Sequence, residues 1–189
     1  GRADYAFIQH ILKSMDPKSG RCAILLPHGV LFRNEESEMR EKLVRSDLVE
    51  AVIGLGANLF FNSPMEACIL ICRSEKAPNR RKEILFVDAS AEVTRKNAQS
   101  YLEPRHIQRI VEAYRSDEDI EGFSSHASFS KIEDNAFSLS IPLYVKPSDD
   151  ENADDRSIEE TIGSWRTAST EAASLLDDIA AKLHENDGE

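Results

Sequence analysis

Cys22-Ala23-Ile24-Leu25-Leu26 is an unbroken apolar run, entered from Gly20-Arg21 and stopped by Pro27-His28-Gly29. Five residues are too few for a buried helix, and nothing polar alternates with them. The run reads as a β-strand covered on both faces, the pattern of a strand inside a helix-flanked sheet. Upstream of it, Tyr5, Phe7, Ile8, Ile11, Leu12 and Met15 recur at helical spacing, and Asp16-Pro17-Lys18-Ser19-Gly20 supplies the turn that ends that helix. No segment ahead of the helix is available to pair with the apolar strand. The strand is therefore expected at an exposed, adhesive edge, as in a piece of a larger α/β domain whose first half is absent.

Downstream the pattern alternates helix and strand. Asn34 before Glu35 and Glu36 is a helix start, with acids placed at the positive end of the dipole, and Met39, Leu43 and Val44 are expected to face inward before a stop near Ser46. Leu48 to Leu55 and Ala67 to Cys72 read as second and third strands, and Ile84 to Val87, after Arg80-Arg81-Lys82, as a fourth. A helix follows Pro104, with Ile107, Ile110, Val111 and Tyr114 on one face. Ser130 with Glu133 has the form of a capping box, and Phe137, Leu139, Ile141 and Leu143 alternate as in an edge strand. Residues 146–156 are acidic and polar, a linker by composition. Ser157 with Glu160 opens a long helix whose inward positions, from Ile158 through Trp165 and Ala172 to Leu183, step by four and three as a heptad seam.

The 189 residues hold 23 Lys or Arg and 34 Asp or Glu, a net charge of −11, with 41% apolar residues. No apolar run approaches the roughly 20 residues a membrane helix needs, so a spanning protein is not expected. Three cysteines and the lack of a basic-then-apolar leader point to a reducing, cytoplasmic setting. The charge is uneven. Residues 1–116 carry 18 basic and 15 acidic side chains, whereas residues 117–189 carry 5 and 19. The objection that an acidic protein repels a polyanion thus applies to the tail and leaves DNA open to the front.

Few residues look like chemistry. Gly54-Leu55-Gly56 follows a strand but lacks the third glycine and the helix of a phosphate-binding turn. Cys68 and Cys72 lie four apart on a strand, roughly 13 Å at ~3.3 Å per residue, too far for a disulfide or a shared metal. The histidines at 10, 28, 106, 126 and 184 form no metal spacing; His28, just past a strand end, is the one placed at a rim where a site could lie, although a structural hydrogen bond to the turn is the plainer reading. Phe60-Phe61, flanked by Asn58 and Asn62 in the loop between the second and third strands, cannot both face one core. One ring could present a flat face to a nucleobase, although core packing is the plainer reading of the residues alone.

The strings Arg2-Ala3-Asp4-Tyr5-Ala6-Phe7-Ile8, Leu26-Pro27-His28-Gly29-Val30-Leu31-Phe32-Arg33, Val52-Ile53-Gly54-Leu55 to Asn58-Leu59-Phe60, and Leu85-Phe86-Val87-Asp88-Ala89-Ser90 resemble, in collinear order over about residues 1–145, the modification (methyltransferase) subunit of type I restriction-modification systems. The resemblance implies a part of an adenine-N6 DNA methyltransferase that uses S-adenosylmethionine. It implies a partial α/β methyltransferase sheet, in which the strands at Cys22, Leu48 and Ala67 are the last three of seven and the third is inserted antiparallel. An extended segment and a long C-terminal helix would follow.

The corresponding divisions are residues 1–90 for the C-terminal half of the catalytic domain, 91–145 for an extension, 146–156 for the linker and 157–185 for an assembly helix. The family's cofactor glycine motif and its Asn-Pro-Pro-aromatic tetrapeptide lie upstream and do not occur here, so no catalytic, cofactor or metal residue is assigned and the chain alone is expected to be inactive. Phe60 falls where an aromatic stacks on a flipped adenine, with Asn58 and Asn62 as neighbouring contacts. Gly56 stands where the family commonly has proline, and Pro64 where it has glycine. Implied partners are DNA, the upstream half, the specificity subunit and, in the full complex, the restriction subunit. The alternative is a non-catalytic interaction module, a truncated paralogue that assembles, with itself or a partner, through 157–185.

Overall fold

Three strands run the same way: β1 (Arg21–Pro27), β2 (Val49–Leu55) and β4 (Glu83–Ala89). Between the first two lies β3 (Ala67–Arg73), antiparallel to both, with Ile24 opposite Leu70 on one side and Val52 opposite Leu70 on the other. β4 pairs in parallel with β2, and β7 (Ser124–Ser128) closes the far side antiparallel to β4, giving the order β1-β3-β2-β4-β7. The antiparallel insertion of the third apolar strand matches the expectation. The sheet has five strands because the fourth apolar run and the polar segment at 124–128 join it. A separate two-stranded hairpin, β5 (Thr94–Lys96) with β6 (Gln99–Tyr101), leaves the end of β4.

This computed structural model describes residues 3–61, 63–97, 99–146 and Arg166. The chain divides into two compact units, Gly1–Ser148 and Asp149–Glu189. The linker expected at 146–156 and the heptad helix expected at 157–185 fall, apart from Lys146 and a helical Arg166, outside the described residues, as does Asn62. Among the described residues no helix is long and apolar enough to cross a membrane.

Each face of the sheet has its own core. On one, α1 (Asp4–Ser14) and α2 (Ser37–Arg45) cover Ile24, Leu26, Val52, Leu70 and Phe86, joined by Leu139, Ile141 and Tyr144 from the end of the unit. On the other, α3 (Pro104–Arg115) and Phe123 cover Ala51, Ile53, Leu55, Leu85 and Val87. α3 starts as its sequence suggests, with Pro104 in the first turn. Its capping box is formed by Glu103 and His106, whose Nδ1 accepts from the Glu103 amide at 3.1 Å.

Several sequence expectations need correction. β1 is not covered on both faces: Ile24 and Leu26 are buried, but Ala23 and Leu25 point to the side that α3 does not reach, leaving Leu25 51% exposed. The Asn34 start is a short 3-10 turn (Asn34–Glu36), and α2 begins at Ser37. Met39 is exposed and its neighbour Arg40 is buried, because the Arg40 guanidinium has backbone carbonyls to bind, those of Phe137 and Arg33, both at 2.9 Å. The cap near residue 130 belongs to Ser128, which accepts from the Lys131 amide at the start of α4 (Phe129–Asp134). Residues 137–143 are no strand: Phe137 has a left-handed backbone (φ 55°) and Ile141–Leu143 is a 3-10 turn. Their alternation arises because Leu139 and Ile141 lie down onto the sheet, while Leu143 faces out.

Burial has an electrostatic signature. Desolvation pushes Tyr5 and Tyr144 up to about 12, and the Cys68 thiol to about 12. These groups ionise in the unfolded chain at about 10 (Tyr) and 8.5 (Cys). Their contribution to stability is therefore fully present below those values and is lost as pH rises towards 12. Urea midpoints should be flat between about pH 7 and 8 and fall steadily from about pH 9 to 11. Tyr5→Phe, which gives up a long 3.3 Å bond to the Val30 carbonyl, should lose at most about 1 kcal/mol at neutral pH and show a shallower alkaline decline. An alkaline decline as steep as the wild type's would contradict this.

Candidate functional site

Because β1, β2 and β4 are parallel, their carboxyl ends, Pro27, Leu55 and Ala89, share one rim of the sheet. In open α/β sheets this rim is where ligands bind. Three segments line it here: the turn after Pro27, the loop 56–66 and the turn after Ala89 that leads to the hairpin.

The first segment is held by an ion-pair cluster. Pro27 stops β1, a 3-10 turn spans His28–Leu31, and Val30 and Leu31 enter the core. Arg33 donates to Asp4 Oδ2 at 2.9 Å and to Glu36 Oε1 at 3.0 Å, and the bond to Asp4 holds its guanidinium firmly charged. The string Leu26 to Arg33 is thereby clamped between α1 and the 3-10 turn that precedes α2. His28 faces the rim, with Nδ1 3.3 Å from Glu66 Oε2 and its ring edge-on to Phe32, while Nε2 is buried without a partner among the described residues.

The loop is shaped by contacts at its start. A Cβ on Gly56 would lie 2.4 Å from the Ser90 carbonyl oxygen and 2.9 Å from Val93, so the β4 end packs directly against the bare backbone. A Cβ on Gly54 would meet the Ile141 side chain at 2.7 Å. Both glycines serve packing, and neither is free to cradle a phosphate. Asn58 takes a left-handed backbone (φ 60°), and its carbonyl accepts from the Ser100 amide at 2.9 Å, tying the loop to β6. Leu59 tucks against the second core.

The two aromatics then part. Phe60 is half-buried and lines a small apolar cleft of about 210 Å³ with Leu25, Leu26, Pro27, Ser63 and Met65. Phe61 projects outward, 82% exposed. A larger adjoining cleft of about 750 Å³ contains His28, Phe32, Arg33 and Asp4, and shares Pro27, Met65 and Glu66 with the first.

Phe60 and His28 thus face one continuous depression. Asn58 lines neither cleft and acts through its backbone. Met65, Glu66, Arg33 and Asp4 also line the depression and were not singled out by sequence. Arg33 closes the family-like string, which was a usable signal, whereas nothing in the loop's composition marks Met65 or Glu66. Cys68 and Cys72 are buried in the first core, and Cys22 lies directly across from Cys72.

An adenosyl cofactor needs a glycine-lined approach and a free carboxylate for its ribose. Here Gly54 and Gly56 are packed, Asp4 is engaged by Arg33, and Glu66 faces His28. The described residues that line these clefts do not compose such a pocket.

The mixed sheet with its antiparallel insertion is similar to the matching part of solved type I methyltransferase subunits. The methyltransferase subunit of a type I restriction-modification system from Streptococcus thermophilus superposes with a TM-score of 0.72 at 40% identity, covering 77% of this chain and 31% of that one. The EcoKI M protein shares the fold, with a TM-score of 0.64 at 17% identity. Residues 1–153 match the N-6 DNA Methylase family, and the chain belongs to it. Among curated relatives, the MjaVIII and MjaVII type I methylase subunits of Methanocaldococcus jannaschii are 34% and 33% identical over 80% and 94% of this chain. The chain spans 27% and 30% of their lengths.

The glycine contacts make a paired prediction. Gly56→Ala forces a Cβ against a fixed backbone carbonyl and should cost about 2–3 kcal/mol, whereas Gly54→Ala meets a movable Ile141 methyl and should cost about 1 kcal/mol. Urea unfolding of the two variants measures the difference; equal costs would show that the 90–93 turn yields as readily as a side chain.

Proposed function

We propose that this chain is the C-terminal part of a type I restriction-modification DNA methyltransferase subunit and that it supplies the target-base side of adenine-N6 methylation. Phe60 carries the reading. It sits half-exposed in an apolar cleft on the ligand-binding rim of the sheet, on a loop fastened at Gly56 and Asn58. An adenine amine inside a duplex is out of reach, so the base must leave the stack, and an aromatic face in an apolar recess holds it in the rotated position. Glu66 lines the same cleft as Phe60, and His28 lines the adjoining one.

In the complete subunit S-adenosylmethionine supplies the methyl group. The pocket for it, and the groups that hold the amine, come from the upstream portion of the subunit. The specificity subunit selects the site, and the restriction subunit joins the full complex. Alone, this chain neither binds the cofactor tightly nor methylates DNA.

Reconstitution with the upstream portion and the specificity subunit tests this on unmethylated duplex DNA. N6-methyladenine should form in the assembled complex and not with this chain alone. Base stacking contributes ~1–3 kcal/mol, so Phe60→Ala should lower the methylation rate about 5- to 150-fold while cofactor affinity stays within about two-fold. Phe61→Ala should have a smaller effect. Turnover by the isolated chain, or an unchanged rate for Phe60→Ala, would overturn the proposal.

A further inference from the structure

The hairpin after β4 forms a second surface on the same rim. Thr94 pairs with Tyr101, Arg95 with Ser100 and Lys96 with Gln99. Cross-strand partners share a face and alternate residues take opposite ones, so Thr94, Lys96, Gln99 and Tyr101 lie together. Thr94 Oγ1 accepts from Arg105 at 3.2 Å, which brings a further cation to that face. Tyr101 is 45% exposed with its hydroxyl 3.4 Å from Gln99 Oε1. Ser100, opposite Arg95, is buried and donates its amide to Asn58 two residues before Phe60.

Charge distinguishes this hairpin from the rest of the rim. Arg33 and Arg109 are bound to carboxylates, and Arg105 holds Glu103 in an exposed pair at 3.1 Å that is easily exchanged. Arg95 and Lys96 are exposed, and their side chains make no ion pair or hydrogen bond to any described residue. Arg21, Arg81 and Lys82 are at the other end of the sheet, where β1 and β4 begin. Two cations with unpaired side chains, Lys96 on the face of the exposed Tyr101 and Arg95 on the other, make a hairpin suited to a nucleic-acid strand.

We propose that the β5–β6 hairpin grips the DNA sugar-phosphate backbone beside the target base, with Lys96 neutralising a phosphate on the face where Tyr101 offers its ring, and Arg95 neutralising a neighbouring phosphate from the hairpin's other face. The location rests on the reading of Phe60 as the base-stacking residue. Two residues of loop and two strand spacings put the hairpin backbone no more than about 17 Å from Phe60. At 3.4 Å per base step, that is within about five nucleotides of the extruded adenine.

The test uses the assembled methyltransferase complex with Arg95→Ala/Lys96→Ala, and Arg21→Ala/Arg81→Ala as the control pair. Each phosphate contact contributes about 0.9 to the slope of log affinity against log salt. The hairpin variant should lose close to two in that slope and weaken binding to cognate and unrelated duplexes alike, with the control unchanged. Single methylphosphonate linkages within about five steps of the target adenine should weaken wild-type binding at one or more positions and leave the hairpin variant unaffected there. An unchanged slope, or a slope lost equally in the control, overturns the hairpin contact. If Phe60→Ala still slows methylation in that case, the base-stacking reading stands without it; if the slope falls but Phe60→Ala has no effect, the hairpin binds DNA and the stacking reading fails.

Discussion

Everything at the candidate site follows from one topological constraint: β3 fills the space between β1 and β2 and runs against both. A parallel neighbour would require a crossover that carries the chain back to the amino end of the sheet. An antiparallel neighbour is reached by a loop that stays where β2 ends. The connection 56–66 is therefore confined to the carboxyl rim, between the turn at His28 and the turn at Ser90. Its anchors lie at the start, with Gly56 flat against Ser90, Asn58 bonded to Ser100 and Leu59 in the core. The residues after those anchors are the ones left to face outward, and they are aromatic.

The rim is held rigid from below by side chains that do not reach it. Arg40, buried in α2, bonds the carbonyls of both Arg33 and Phe137, linking the clamp behind His28 to the segment 137–145. That segment lies across the first face of the sheet instead of joining its edge. Tyr144 stacks on Phe86 at 4.0 Å with planes 19° apart, and Ile141 occupies the space left by the missing side chain of Gly54. Gly54 is thus the position where the closing segment touches β2, two residues before the loop begins. Packing in the core and placement of the loop are mechanically coupled through a few residues of one strand.

What was legible in the sequence was what burial writes into it. β2 and β4 are continuous apolar runs because both faces of the sheet are covered there, β3 is apolar although its second face is only partly covered, and the antiparallel insertion followed from the resemblance. The aromatic pair was legible too, since two adjacent rings cannot share one core. β7 was invisible. Ser124 to Ser128 holds one apolar residue, and its pairing is enforced by β4 and by Asp119, which accepts from the His126 amide at 2.8 Å. The alternation at 137–143 mimicked a strand because a chain laid flat on a sheet also buries every second side chain. Met39 looked like core because helical periodicity cannot show that an arginine beside it has two carbonyls waiting. The hairpin left no hydrophobic trace, as its residues are polar and exposed.

β1 is where the sheet and the site become one problem. Its first face is sealed by α1, but on the second face α3 stops short, so Ile69 and Ile71 of β3 are partly buried and Leu25 of β1 is open. Among the described residues no strand pairs with the outer edge of β1. A natural edge strand is commonly blunted by charge, proline or a bulge, and Ala23 to Leu26 has none of these. The same Leu25 also forms the wall of the cleft that holds Phe60. A segment that paired with the free edge of β1 would cover that wall as well and deepen the apolar recess around Phe60. In the proposed reading, a base stacked on Phe60 is shielded on the β1 side by Leu25 and Pro27 and on the other by the loop 56–66 of this chain.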